Sequence, residues 1–315
     1  MKRKAIIISL SSTHLSSKER KLIKDGKPWG VILFKRNIKS FKQTKNLIRS
    51  IKLIMKDKNY PILIDEEGGE VCRLSELFDN SVYSQKFFGD IYSKNKKIGL
   101  NLYSNYLNSI CSVLKLLGIN INTVPVLDLL TKKTHKIIGN RSYSHNKKVV
   151  KKLGSVCVDI YRNNHISTVI KHIPGHGKGT VDSHKKLPVI KDNLKDLTKL
   201  DFDCFKNINS HFAMTAHILY SKIDKHNVCT HSKNVILKII RGKIGFKGIL
   251  ISDDISMKAL KCDLITNALE SLKAGCNLVL YCSGKINESE KLLKHVPLID
   301  NFTKKKTSEF YKFLS

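Results

Sequence analysis

Eight short, β-branched runs alternate with longer amphipathic stretches along this chain, and that alternation limits the fold more than any other feature. Such an order is typical of βαβ units and a parallel sheet. We predict strands at residues 5–10, 30–34, 61–65, 120–126, 167–172, 212–217, 248–252 and 277–281. The helices are predicted at residues 18–24, 39–55, 94–117, 147–163, 194–207, 233–241, 260–274 and 287–295.

Eight strand–helix units indicate an α/β protein with a (β/α)8 TIM barrel, and we predict one catalytic domain over residues 1–315. Such a barrel takes about 250 residues and tolerates insertions. The excess falls at residues 72–93 and 129–146, both of which follow strands. An open doubly wound sheet is the competing architecture, but no Gly-x-Gly-x-x-Gly or P-loop follows an early strand.

The formal net charge of +31 raises the question of nucleic-acid binding. Only eight of the 57 cations are arginines, and the lysines are spread along the whole chain without aromatic-interleaved patches. We therefore interpret the charge as a solvated lysine coat and predict no specific nucleic-acid partner. A basic nucleic-acid-binding protein is kept as the non-enzyme alternative.

The compartment is inferred from the apolar runs and the cysteines. No apolar run approaches the ~18 residues of a membrane span, so no membrane partner is predicted. The basic start and the apolar residues 5–10 resemble a signal peptide, but the run is short and no small-residue cleavage site follows. The eight scattered cysteines favour reduced thiols. We expect a cytoplasmic protein, and a monomer.

Polar residues collect where the predicted strands end, as they do at the catalytic mouth of a (β/α)8 barrel. Asp253 and Asp254 are adjacent, so in an extended chain one carboxylate enters the barrel and suits a nucleophile, while the other stays outside. Arg141 lies in a long insertion, where it suits a clamp for an anion or hydroxyl, or a salt bridge that pins the loop. The other strand-end residues are Asp65, Asp128, Lys171, His172 and His217.

Residues 170–184 read Ile-Lys-His-Ile-Pro-Gly-His-Gly-Lys-Gly-Thr-Val-Asp-Ser-His. Three glycines permit sharp turns and close approach of a ligand. Asp182 and His184 are two residues apart, so an extended backbone places both on one side and the carboxylate can orient the imidazole as a proton donor. A metal centre at the histidines is the other enzyme hypothesis, but the sequence lacks His-Glu-x-x-His and an early His-x-His. We expect neither a metal nor an organic cofactor.

The stretch from Lys171 to His184 resembles the signature of bacterial glycoside hydrolase family 3 β-N-acetylhexosaminidases, in which Lys-His-Phe-Pro-Gly-His-Gly leads to Asp-Ser-His. Ile173 replaces the usual Phe. Further segments agree in the same order, namely Ile-Asp-Glu-Glu-Gly-Gly-Glu-Val-Cys-Arg at 64–73, Val-Pro-Val-Leu-Asp at 124–128, Gly-Asn-Arg-Ser-Tyr at 139–143, Met-Thr-Ala-His at 214–217 and Ser-Asp-Asp-Ile-Ser-Met at 252–257.

The resemblance implies an enzyme that removes β-linked N-acetylglucosamine from 1,6-anhydro-muropeptides during peptidoglycan recycling. It implies that Asp253 is the nucleophile and that Asp182 and His184 supply the general acid and base. The sugar-binding residues that it implies are Asp65, Arg73, Arg141, Lys171 and His172. A glycoside phosphorylase on the same scaffold is the enzyme alternative, because a neutral histidine repels phosphate less than a carboxylate does.

Overall fold

A computed structural model describes residues 2–132, 134–183 and 185–314 of the chain. Eight parallel strands close into a barrel, and each overlaps one of the predicted strands, so the predicted (β/α)8 architecture is confirmed. The barrel strands are β1 (Lys4–Ser9), β2 (Pro28–Leu33), β3 (Ile62–Ile64), β4 (Ile121–Asn122), β5 (Ser167–Ile173), β7 (Phe212–Thr215), β9 (Ile249–Asp254) and β10 (Leu278–Tyr281). Around the barrel the order is β1-β10-β9-β7-β5-β4-β3-β2.

The helices lie mainly where the amphipathic stretches predict them. They are α1 (Ser17–Gly26), α2 (Phe41–Met55), α3 (Gln85–Lys94), α4 (Lys96–Leu117), α5 (Lys147–Asn163), α6 (Leu194–Lys199), a π-helix (Val235–Ile244), α7 (Leu264–Ala274), α8 (Ile286–His295) and α9 (Asn301–Leu314). Helices α3 and α9 were not predicted. The helix predicted at 194–207 was wrong in its second half, where α6 ends and a 3-10 turn spans Phe202–Phe205.

Helix α9 covers the end of the barrel at which the strands begin. The indole Nε1 of Trp29, near the start of β2, donates to Thr307 Oγ1 at 2.9 Å. Phe310 packs edge-on against Phe212 at the start of β7, with ring centroids 5.3 Å apart. Arg3, just before β1, donates to the Tyr311 hydroxyl at 2.6 Å. This end of the barrel is therefore filled by side chains, which leaves the opposite end for a ligand.

Helix α3 supports the long connection that follows β4. An ideal Cβ at Gly89 would lie 1.9 Å from the carbonyl oxygen of Tyr143, so only glycine allows this approach. The Tyr143 hydroxyl also contacts the Tyr103 hydroxyl of α4 at 2.5 Å. Residues 139–143 are thereby fixed against two helices, and Arg141 is carried by this segment.

A second, two-stranded parallel sheet lies outside the barrel and pairs β6 (Val189–Ile190) with β8 (Leu219–Tyr220). It joins the connection after β5 to the connection after β7. The chain between β5 and β6 includes residues 174–183, which we call the glycine loop. The connection from β5 to β6 therefore begins at a strand of the barrel and ends at a strand of the second sheet.

No helix among residues 2–132, 134–183 and 185–314 is long and apolar enough to cross a bilayer. All eight cysteines are free thiols, as the scattered spacing predicts, and five of them are buried.

Candidate active site

One cavity of about 330 Å³ opens where the barrel strands end, and it is within the size range of small-molecule sites. Asp253 and the five residues predicted to bind a sugar all line it. Asp182 does not line it, although the next residue, Ser183, does. His184 lies outside the residues that the structure describes. The six predicted site residues at the cavity wall are Asp65, Arg73, Arg141, Lys171, His172 and Asp253.

Lys171 stands at the centre of a buried charge network. Its position near the end of β5 brings Nζ to 2.5 Å from Asp65 Oδ1 and 2.6 Å from Glu67 Oε1. It also donates to Thr123 Oγ1 at 3.0 Å, so all three ammonium protons have acceptors. The residue is only 2% exposed. A buried lysine of this kind is tolerated because two carboxylates neutralise it.

Two arginines extend the network on either side of Lys171. Arg141 forms a bidentate pair with Glu67, with Nε and a terminal nitrogen each 2.8 Å from a carboxylate oxygen. Arg73 pairs with Asp65 Oδ2 at 2.8 Å. Arg141 therefore does pin its loop, which was one of the two interpretations, and it also faces the cavity.

The two carboxylates stay ionised despite their burial. Burial alone would raise the pKa of Asp65, but Lys171, Arg73 and Arg141 outweigh it and hold that pKa well below its usual range. Burial likewise opposes ionisation of Glu67, and Arg141 with Lys171 still lowers its pKa. The cavity wall is thus a fixed arrangement of full charges, suited to hydrogen bonds with the hydroxyls of a sugar.

His172 is oriented by Asp128. The His172 Nδ1 lies 2.7 Å from Asp128 Oδ2, and the backbone N–H of His176 donates to Asp128 Oδ1 at 2.6 Å. Asp128 is fully buried, and although burial raises its pKa, His172 and His176 outweigh that and lower it. Asp128 is therefore more than a turn former, because it holds a ring that lines the cavity.

Asp253 and Asp254 occupy the end of β9, and both line the cavity. The backbone N–H of Asp254 donates to Asp253 Oδ1 at 2.8 Å. Asp254 Oδ1 accepts from the backbone N–H groups of Ser256 at 3.1 Å and Cys282 at 3.2 Å, which ties β9 to the connection after β10. Burial raises the pKa of Asp254. Both carboxylates thus line the cavity, whereas we predicted that one of them would stay outside, and Asp254 is the one that braces the loops.

His217 also supports the end of β9. Its Nε2 lies 3.0 Å from the Asp254 carbonyl oxygen, and its Nδ1 lies 2.7 Å from Thr230 Oγ1. Burial lowers the pKa of this imidazole. A neutral ring that donates from Nε2 and accepts at Nδ1 satisfies both contacts.

The first half of the glycine loop is packed tightly on the connection after β4. An ideal Cβ at Gly177 would lie 1.8 Å from the Leu129 carbonyl oxygen. The Gly179 carbonyl accepts from the His135 backbone N–H at 3.0 Å. His176 is buried in this half, and burial lowers its pKa to about 4. The loop thus reaches the cavity as an ordered segment at least as far as Gly179.

Sequence reasoning missed Glu67, Thr123 and the role of Asp128. A signal for Glu67 was present, because Asp65 and Glu67 are two apart and an extended backbone places both on one side. Glu66, between them, turns away and accepts from Asn80 and from the backbone N–H groups of Arg73 and Leu74. Nothing in the sequence indicated that Asp128 would bond His172.

Within the part of the chain that the structure describes, no three histidine, cysteine, aspartate or glutamate side chains are grouped to hold a metal ion. The carboxylates of Asp65 and Glu67 are bonded to Lys171, Arg73 and Arg141. The expectation that no cofactor is needed stays a prediction.

Comparisons with a family model, with curated relatives and with solved structures agree on one protein family. The model of the glycosyl hydrolase family 3 N-terminal domain matches residues 3–305. A β-hexosaminidase of Thioalkalivibrio sulfidiphilus is 32% identical over 88% of this chain and 80% of its own length. NagZ from Neisseria gonorrhoeae, solved with N-trifluoroacetyl-D-glucosamine, is 26% identical with a TM-score of 0.88, covering all of this chain and 90% of that one.

A family 3 β-N-acetylglucosaminidase from Paenibacillus is 25% identical with a TM-score of 0.86, and the match covers 98% of this chain and 60% of that protein. The region that the family model matches, residues 3–305, contains the whole barrel and every residue of the cavity wall. The chain therefore belongs to glycosyl hydrolase family 3 and is a glycoside hydrolase similar to the bacterial β-hexosaminidases.

Proposed function

We propose that this protein is a retaining β-N-acetylglucosaminidase that removes terminal β-linked N-acetylglucosamine from 1,6-anhydro-muropeptides in peptidoglycan recycling. One observation carries the proposal. Asp253 shares a single cavity with Asp65, Arg73, Arg141, Lys171 and His172, so a carboxylate nucleophile faces a charged wall across a space of sugar size. The neighbour solved with an N-acylated glucosamine supports the substrate class.

The charged wall fits the hydroxyl-rich face of a sugar. The ionised carboxylate of Asp65 accepts hydrogen bonds from hydroxyls, while the Arg73 and Arg141 guanidinium groups donate to them. Lys171 donates to a hydroxyl by exchanging its bond to Thr123 for it. His172 is held by Asp128 and adds one ring nitrogen. Because these groups are already bonded to one another, little ordering is needed when the sugar binds.

Asp253 performs the first bond change in this proposal. A carboxylate oxygen attacks the anomeric carbon, and the bond to the leaving sugar breaks as its oxygen takes a proton. The product of this step is a covalent glycosyl-enzyme. In the second step water attacks the same carbon and Asp253 leaves, so the anomeric configuration is retained.

His184 is proposed as the group that gives and retrieves the proton, with Asp182 as the carboxylate that orients it. An imidazole with an ordinary pKa near ~6.5 can do both near neutral pH. The glycine loop that leads to it is anchored on the barrel through Gly177 and Gly179. We propose that the second half of the loop brings His184 to the glycosidic oxygen when substrate is bound.

We also propose a domain organisation, a compartment and a set of partners for the enzyme. We infer a single catalytic domain, a cytoplasmic monomer, and a saccharide substrate as the ligand, with neither a membrane nor a specific nucleic acid as partner. The scattered lysines and the few arginines support the last point.

Release of p-nitrophenol from its β-N-acetylglucosaminide tests the function, with wild type beside Asp253→Asn. We expect turnover by wild type and loss of about 10³-fold or more in the variant, because the amide cannot act as the nucleophile. Product analysis in phosphate buffer distinguishes hydrolysis from transfer to phosphate. Undiminished activity in the variant would refute the assignment of Asp253.

A further inference from the structure

A buried carboxylate lies directly behind the glycine loop. Asp201 precedes the 3-10 turn and is 1% exposed. Neither of its carboxylate oxygens has a hydrogen-bond partner among residues 2–132, 134–183 and 185–314. Burying a carboxylate without partners is unfavourable, so such a group calls for an explanation in terms of function.

The loop brings the cation of Lys178 close to this carboxylate. Its Nζ lies 3.9 Å from Asp201 Oδ2 and 2.5 Å from Asp192 Oδ1. The Asp192 side chain is 39% exposed, whereas that of Asp201 is 1% exposed. An ammonium group has three protons to donate, so Lys178 can bond both carboxylates after a shift of about 1 Å.

The backbone of the loop is in contact with Asp201 as well. Gly175 has φ +143°, and an ideal Cβ there would lie 3.0 Å from Asp201 Cβ. The Tyr220 hydroxyl of β8 donates to the Gly175 carbonyl oxygen at 2.5 Å. Glycine is required at this position because the conformation is strained for other residues and the space is filled. Asp201 is thus a direct neighbour of the loop.

We propose that Asp201 is a positioning residue, and that its carboxylate, by holding Lys178, fixes residues 179–183 for the acid/base step. This inference rests on the proposed function. The first half of the loop is already packed by Gly175 and Gly177, whereas Lys178 is the side chain that leads into the second half. Holding the Lys178 ammonium group in one place therefore limits the positions that the acid/base group can reach.

The anchor depends on pH. Burial raises the pKa of Asp201 to about 6, with Lys178 lowering it and Asp128 and Asp192 raising it. The other ionisable groups beside it, Cys204 and Tyr220, have pKa values raised by burial and stay neutral at pH 7. As pH rises through about 6, Asp201 ionises and holds Lys178 together with Asp192, whereas at lower pH Asp201 is neutral and Asp192 alone holds Lys178.

The test compares Asp201→Asn, Lys178→Met and the double variant with wild type. Asp203→Asn is the matched control, because Asp203 lies in the 3-10 turn that follows Asp201 and pairs with Lys147 and Lys151 away from the loop. Two substrates are used, chitobiose with a poor leaving group and the p-nitrophenyl glycoside with a good one. Each protein is assayed for kcat and KM across pH 4.5–8.5.

For chitobiose we expect each single variant to lose about tenfold in kcat/KM at pH 7.5, through kcat, because the proton donor is misplaced. The aryl glycoside should lose less than about twofold, since its leaving group needs little protonation. The double variant should be no worse than either single variant. The acidic limb of the chitobiose profile should change in Asp201→Asn, and Asp203→Asn should match wild type.

Equal losses on both substrates, losses that multiply in the double variant, or an effect of Asp203→Asn as large as that of Asp201→Asn would overturn the proposal. Amide hydrogen exchange over residues 179–183 provides a readout that does not depend on activity. Exchange should be faster in both single variants, and unchanged exchange would overturn the anchoring. If wild type releases no sugar while exchange responds as expected, the proposed function fails and the anchoring stands.

Discussion

Replacing Glu67 should strongly perturb the charged wall of the cavity, which consists of Asp65, Arg73, Arg141 and Lys171. The Glu67 side chain is 1% exposed, and one carboxylate accepts from Arg141 at 2.8 Å through both oxygens and from Lys171 at 2.6 Å. The substitution Glu67→Gln keeps the shape but removes the charge. The amide offers one acceptor oxygen to two cations, and its NH₂ group faces donors. Three cations then share the single carboxylate of Asp65.

The expected loss follows from the burial. Removing one partner of a buried ion pair costs about 3–5 kcal/mol, and the remaining acceptor of Gln favours the lower end. A loss of about 3 kcal/mol corresponds to a Tm lower by about 4–5 °C for a chain of this size. Because Lys171 and Arg141 lose their fixed positions, we also expect kcat/KM to fall by about 10²-fold, mainly through KM.

Urea unfolding and steady-state kinetics check these values, with Glu76→Gln as the matched control. Glu76 pairs with Lys35 at 3.2 Å, but its side chain is 47% exposed, so the same substitution should change stability by less than about 0.5 kcal/mol. If Glu67→Gln unfolds within 0.5 kcal/mol of wild type and keeps its KM, the charged wall does not depend on Glu67 and the reasoning is refuted.

Three further predictions concern the proton donor, acid stability and the glycine loop. His184→Ala should reduce hydrolysis of substrates with poor leaving groups most, and equal loss on an activated aryl glycoside would argue against a proton donor. The folded-state pKa values of Asp65 and Glu67 are lowered, so the stability that they contribute is full above pH ~5 and is lost as pH falls through those values. Urea unfolding at pH 4 and pH 7 should therefore show a smaller difference in Glu67→Gln than in wild type. Gly177→Ala must displace the loop from Leu129, costing about 1–3 kcal/mol and much of the activity, whereas full activity would show that the loop needs no such contact.

The barrel could be predicted because each strand is a short buried run between recognisable helices. Helix α3 was missed because it lies within a long connection, and its buried side packs on α4 and on the connection after β4 rather than on the barrel strands. Helix α9 was missed because its buried face consists of Thr303, Thr307 and Phe310, two of which are polar. Buried polar residues that form hydrogen bonds do not add to the hydrophobic periodicity from which a helix is predicted.

Part of the active site could be predicted from the sequence, and part could not. The positions of Asp65, Lys171 and Asp253 could be predicted because strand ends meet at one mouth of a barrel. The partners of these residues could not, since pairing of Lys171 with both Asp65 and Glu67 depends on the turn at Gly68 and Gly69, where φ is positive. The position of Asp201 behind the glycine loop could not be predicted either, because the sequence does not show which residues the folded loop will cover.

The central claim is that Asp253 forms a covalent bond to the sugar. Rapid quenching of wild type with an activated aryl β-N-acetylglucosaminide, followed by mass spectrometry of its peptides, tests that claim most directly. We predict a mass increase of one N-acetylglucosaminyl residue on the peptide that contains Asp253, and no such increase in Asp253→Asn. A sugar attached to another residue, or rapid turnover with inversion at the anomeric carbon, would contradict the account.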